Sequence, residues 1–141
     1  MERPDDSRNR RKPWSVAVRY LWASPTTLVG LLAGLLTLAT GGKVQVRRGA
    51  LEFSGGFATW LARCCGFGAM TLGHVIVGLS PSCLDRYRDH EQAHVRQAER
   101  WGPAFLPAYL ASSFIAWRLG KDYYRDNWFE RDARRACGEP D

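Results

Sequence analysis

Leu84-Asp-Arg-Tyr-Arg-Asp-His90-Glu91-Gln-Ala-His94-Val-Arg-Gln-Ala-Glu-Arg-Trp101 is the stretch on which the reading of this chain turns. Ser80-Pro-Ser-Cys-Leu-Asp85 places overlapping N-cap signals before it and Gly102-Pro103 a stop after it, which predicts one helix over 84–101. At about 100° per residue, Leu84, Tyr87, His90, Glu91, His94, Val95, Gln97, Ala98 and Trp101 gather on one side. Asp85, Arg86, Arg88, Asp89, Gln92, Arg96, Glu99 and Arg100 fall on the other. Both histidines and Glu91 therefore lie on the face that must pack against protein, while the remaining charges turn to water.

Two imidazoles and a carboxylate on a packed face cost several kcal/mol unless they are compensated, and one divalent cation compensates all three together. The spacing His90-Glu-x-x-His94 sets the imidazoles one turn apart, within reach of a single zinc ion, with Glu91 beside them as a base. A third ligand must come from elsewhere. Glu130, in Asp126-Asn-Trp-Phe-Glu-Arg-Asp-Ala133, is the first candidate. It belongs to a polar helix expected over 121–136, and Asn127 and the small Ala133 share its face, so that this helix can approach the first closely. Asp126, His74, Asp132 and a cysteine remain alternatives. Gln97 is placed to hold an imidazole, and His74, Tyr109 and Tyr123 are candidate donors to an oxyanion.

The chain's 141 residues, 45% hydrophobic and 24% charged, have a folding composition of one domain's size. Its net charge of +6 is unevenly placed: nine of the 20 Lys and Arg but only three of the 14 acids fall within residues 1–48. Arg8, Arg10, Arg11 and Lys12 on one side, and Lys43, Arg47 and Arg48 on the other, flank a run from Tyr20 to Gly42 that holds no charge. Clusters at the ends of an apolar segment argue for a membrane partner and against a nucleic acid. Ser24-Pro25 reads as a helix start and Gly41-Gly42 as a stop, giving about 16 residues and about 24 Å against a hydrocarbon core of about 30 Å. A full span requires Trp14 to Trp22 to continue that helix; otherwise it is half-embedded or interfacial. The expected organisation is a flexible basic tail over 1–13, an apolar membrane-associated helix over 14–42 retained as an anchor, and a domain over 43–137.

Within that domain, Lys43 to Ser54 alternates about Arg48-Gly49 and predicts a β-hairpin ending at Gly55-Gly56, whose edge is suited to gripping an extended peptide. Phe57 to Cys65 reads as a short helix or a third strand, Ala69 to Gly78 as one buried strand containing His74, and Phe105 to Trp117 as an apolar helix. The four cysteines, Cys64, Cys65, Cys83 and Cys137, match no zinc-ribbon spacing and read as small buried side chains. The fold class is α+β: an apolar helix, a small sheet, then three helices carrying the HExxH pattern and a distal glutamate.

His90-Glu-x-x-His94 followed 36 residues later by a helical Glu130 resembles the gluzincin branch of zinc metallopeptidases. The run from His94 through Trp101-Gly-Pro-Ala-Phe-Leu-Pro-Ala-Tyr109 to Asn127-Trp-Phe-Glu130 also resembles small bacterial HExxH proteins with an N-terminal apolar segment. The resemblance implies a minimal zincin-like domain over 43–137, one zinc ion on His90, His94 and Glu130, and Glu91 as the general base of peptide hydrolysis. It implies a peptide or protein substrate and a place at the bacterial inner membrane. A non-catalytic zinc-stabilised membrane protein, or an interaction scaffold, is the alternative.

Overall fold

The structure, a computed structural model, describes residues 13–140; the tail expected over 1–13 lies, but for Pro13, outside the described residues. The elements in chain order are α1 (Pro13–Ala39), β1 (Lys43–Arg47), β2 (Ala50–Ser54), α2 (Gly56–Cys65), β3 (Ala69–Leu72), β4 (Val75–Gly78), α3 (Pro81–Trp101), α4 (Phe105–Arg118) and α5 (Trp128–Cys137). A 3₁₀ turn at Gly102–Ala104 joins α3 to α4. The α+β class holds.

The expected hairpin is present, closed at Arg48 and Gly49 with both residues at positive φ, the twist that a two-residue turn between antiparallel strands requires. The segment Ala69–Gly78 is not one strand: Gly73, at φ 66°, turns the chain so that β3 and β4 pair antiparallel and His74 sits in the turn. The β2–β4 pair is parallel, giving the order β1-β2-β4-β3.

Alternation along β2 and β4 divides the sheet's contacts between two layers. Phe53, Val75 and Val77 face α1 and α2, packing with Ala58, Leu31 and Ala33. Ala50 and Ile76 face α3, packing with Leu84 and Val95. Glu52, fully buried on this second face, is held by Nε and Nη2 of Arg88, each at 2.9 Å, and by Gln45. Arg88, expected to turn to water, is thus the counter-ion of the sheet, and Gln92 is buried as well. The buried arc of α3 is wider than its own periodicity indicates, because the sheet and α5 cover different sides of it.

The helix expected from Pro25 instead runs unbroken from Pro13, with Pro25 inside it. Pro25 has no N–H for the carbonyl of Leu21, and the Ser24 hydroxyl donates to that oxygen at 2.7 Å, removing the reason to stop there. This helix buries its small residues, Ala23, Thr26, Gly30, Gly34 and Thr37, and exposes large apolar ones. Smallness is required: a Cβ on Gly34 would lie 2.4 Å from the Phe53 ring, and one on Gly30 2.6 Å from Val75 Cβ.

Gly34→Ala should therefore destabilise the protein by about 1–3 kcal/mol in denaturant unfolding, opposite in sign to the gain of about 1 kcal/mol that helix propensity alone assigns to Gly→Ala. Arg88→Ala should cost about 3–5 kcal/mol in the same measurement, since it leaves the Glu52 carboxylate buried without its partner.

Candidate metal centre

The helix α3 starts at Pro81, three residues before the helix expected from Leu84, because Ser80, the first of the overlapping cap signals, accepts from the backbone N–H of Cys83 at 3.2 Å with Pro81 in the first turn. It presents His90, Glu91, His94 and Gln97, all buried, along its length. The helix expected over 121–136 is shorter. Asp122 caps a turn by accepting from Tyr124 and Arg125, and α5 starts only after Asn127, whose side chain accepts from Phe129 N–H. Asn127 and Ala133 are fully buried, and they bring α5 against α3 with Glu130 pointing into the interface.

There the side chains of His90, His94 and Glu130 converge, with one ligand atom from each within 4.8 Å of the others. His90 Nε2 stands 3.0 Å from Glu130 Oε2, His94 Nε2 3.3 Å from Glu130 Oε1, and the two Nε2 atoms 3.2 Å apart. Ligand atoms about 2.0–2.1 Å from a tetrahedral zinc ion are about 3.3 Å from one another, so the spacing fits that ion.

Hydrogen bonding behind the ligands fixes which atoms face inward. The Gln97 amide nitrogen donates to Phe129 O at 3.0 Å and to Asp132 Oδ2 at 2.8 Å, so its oxygen accepts from His94 Nδ1 at 2.8 Å. The Nε2 lone pair of neutral His94 is then aimed at the Nε2 of His90 and at a carboxylate. Glu139 Oε2 lies 3.4 Å behind His90 Nδ1, and Tyr109 donates its hydroxyl to Glu130 Oε1 at 2.6 Å. Several acceptors share a dry space, and a cation is the chemistry that reconciles them.

Without a metal, protons must do so. Burial lowers the His94 pKa, but the Glu130 carboxylate outweighs it and the net displacement is upward. Burial pushes Glu130 up, and its hydrogen bonds with His90 and His94 reverse that, holding it well below the usual carboxylate range. Glu91 behaves oppositely: desolvation dominates and raises it, although His94 and the hydrogen bond from Thr71 Oγ1 at 2.6 Å pull the other way. The Tyr109 phenol is raised by burial and by Glu130.

The other sequence candidates lie elsewhere. His74 is stacked on Tyr20, donates its backbone N–H to Thr27 Oγ1 and pairs with Glu99 at 3.1 Å. Asp126 accepts from Asp122 N–H, Asp132 holds Gln97, and Tyr123 is exposed. Among the described residues no cysteine joins the cluster; all four are free, and Cys64 and Cys65, expected to be buried, are exposed at the end of α2. The edge strand beside Glu91 is β3, through Thr71, and not the β1 edge at the far end of the sheet. Tyr109, a candidate from the sequence, does reach the site through Glu130, and Thr71 on β3 and Glu139 just after α5 join it with no sequence signal beyond being polar.

Two surface hollows, one among Asp122, Arg125, Asp126, Arg131 and Arg134 and one between α4 and α5 along Ala108, Ile115, Leu119 and Trp128, are not lined by His90, Glu91 or His94. In comparison with known families, curated proteins and solved structures, the chain matches none.

Purified protein should carry one equivalent of zinc by elemental analysis, and His94→Ala and Glu130→Ala should each abolish it while His74→Ala and Asp126→Ala keep it. Gln97→Ala should weaken zinc binding about 10- to 100-fold by competition with a chelator, because His94 loses the partner that orients it.

Proposed function

We propose that this chain is a membrane-associated, zinc-dependent hydrolase of the metallopeptidase type, built on a minimal zincin-like set of helices, α3 to α5. What supports this most is a count of ligands. Three side chains converge, no fourth His, Cys, Asp or Glu joins them among the described residues, and the neighbouring buried carboxylate is Glu91. Structural zinc sites are closed by four protein ligands, whereas catalytic ones keep a position open.

His90, His94 and Glu130 would hold one zinc ion, which when bound supplies a Lewis acid that polarises a carbonyl and lowers the pKa of water. Glu91 is the general base: its raised pKa suits it to accept a proton from the attacking water and return it to the leaving amine. Thr71 fixes the Glu91 oxygen that does this, and Gln97 fixes the His94 tautomer. Tyr109, the candidate oxyanion donor that lies at the cluster, commits its one O–H to Glu130 and so orients that ligand. The substrate is a peptide or protein, and the place is the bacterial inner membrane, supported by an α1 segment, Ser15–Ala39, long and apolar enough to cross a bilayer.

One observation favours the second reading, a zinc site that only stabilises the fold. His90, His94 and Glu130 are 7, 6 and 3% exposed, and neither hollow opens on them. In that case zinc ties α3 to α5 in place of a larger core.

The two readings separate on Glu91→Gln. For a hydrolase this variant should retain stoichiometric zinc and lose about 10²- to 10⁴-fold of its activity on a quenched peptide library. For a structural site, wild type and variant should be equally inactive and chelation should unfold both. Protein that folds without stoichiometric metal overturns both and leaves the scaffold reading.

A further inference from the structure

The outward face of α1 is apolar without interruption. Val18, Leu21, Leu28, Val29, Leu32, Leu35 and Leu36 are between 50 and 73% exposed, with no charged residue from Tyr20 to Gly42. A soluble monomer rarely leaves such a stripe open. The opposite face is fixed to the fold over nearly the same length: Arg19 pairs with Glu99, Tyr20 donates to Gly49 O, Thr27 meets His74, Gly34 meets Phe53, and Thr40 accepts from Phe57 N–H. At about 1.5 Å per residue, Arg19 to Thr40 covers about 30 Å, the thickness of a hydrocarbon core.

That attachment decides how the helix can meet a bilayer. On the far side of the sheet α3 runs back antiparallel to α1, from Leu84 on Gly78, level with the C-terminal half of α1, to Glu99 at Arg19. Along this path Arg86, Asp89, Arg96 and Arg100 are exposed. If α1 stood across the bilayer, these charges would lie at hydrocarbon depth on a lipid-facing surface, each costing several kcal/mol. Laid in the plane, the same helix puts its leucines into lipid and all four charges in water.

We propose that α1 does not span the membrane but lies in its surface, docking the fold on an anionic bilayer with the metal centre on the water side. This deepens the reading of a membrane-associated protein and rests on it. Charge complementarity selects the occupant: Arg8 to Lys12 precede the helix and Arg63 is exposed on α2 of the same layer, while on β1 it is the exposed Val44 and Val46, not the lysine and arginines, that share the face of Phe53 toward α1. The aromatic residues agree. Trp22 on α1 and Trp60 on α2 are 52 and 59% exposed, the placement that tryptophan takes at a lipid–water boundary.

The test uses the full chain with vesicles of phosphatidylcholine, with and without phosphatidylglycerol. The wild type should float with the anionic vesicles and bind the neutral ones about tenfold or more weakly. Leu28→Ser/Leu32→Ser/Leu35→Ser should lose at least about a hundredfold in vesicle affinity while keeping its circular dichroism spectrum. In cells expressing the wild type with a tag at each terminus, protease should reach both tags from the same side. Tags on opposite sides overturn the in-plane placement and leave membrane association standing. A protein that floats with no vesicle overturns membrane association itself. A dimer that forms without lipid and buries the stripe assigns that face to a second copy and overturns the proposal.

Discussion

Two imidazole nitrogens and a carboxylate face one another in a dry space between α3 and α5, and most of the C-terminal half is arranged around that contact. Each would be unfavourable alone: the two Nε2 atoms are buried 3.2 Å apart, and the carboxylate is removed from water. Together, backed by Gln97, Tyr109 and Glu139, they form a set whose spacing fits a single metal ion. The docking of α5 follows from the same constraint. Asn127 and Ala133 are fully buried because the Glu130 carboxylate must come within hydrogen-bonding distance of a helix that already carries its histidines inward.

A second constraint acts on the other face of the sheet. The helix α1 is turned inside out relative to a core helix, with glycine, alanine and threonine against the strands and leucine and valine outside. Close approach of α1 to Phe53 and Val75 is possible only because Gly30 and Gly34 lack side chains, so the packing that joins α1 to the domain also leaves its larger residues without protein partners. The cluster of His90, His94 and Glu130 and the apolar stripe are thus on opposite faces of one four-stranded sheet, and α3 is the element that meets both, through Glu99 at α1 and through His90 and His94 at α5.

Some of this was legible in the residues alone. The bounds of α3 follow from Ser80-Pro81 and Gly102, the hairpin from Arg48-Gly49, and the facing of His90, Glu91 and His94 from helical period, because each is set by interactions within a few residues. Glu130 was legible as a member of the cluster through Asn127, which caps α5, and Ala133, which lets it approach. Where the reading went astray, a distant partner had changed the local preference. Pro25 did not begin a helix because the Ser24 hydroxyl took the carbonyl it orphaned and the sheet held both halves of α1 in line. Arg88 and Gln92 did not face water because Glu52 and the hairpin lay on that side of α3. The Gly73 turn split a strand that looked continuous, and it carried His74 away to Tyr20 and Glu99.

The sequence by itself determined the ingredients: which segments are helical or extended, that two histidines and a glutamate share one inward face, and that an uncharged run is flanked by basic residues. Those properties are periodic or local, and a single chain displays them. Only the tertiary structure decided that Glu130 and not His74 or Asp126 joins the histidines, that Thr71 holds Glu91 and Glu139 lies behind His90, and that α1 is bound along its length to a domain with charged outer surfaces. Contacts of that kind join residues 20 to 80 positions apart, and they depend on how layers stack, which no local pattern in the chain encodes.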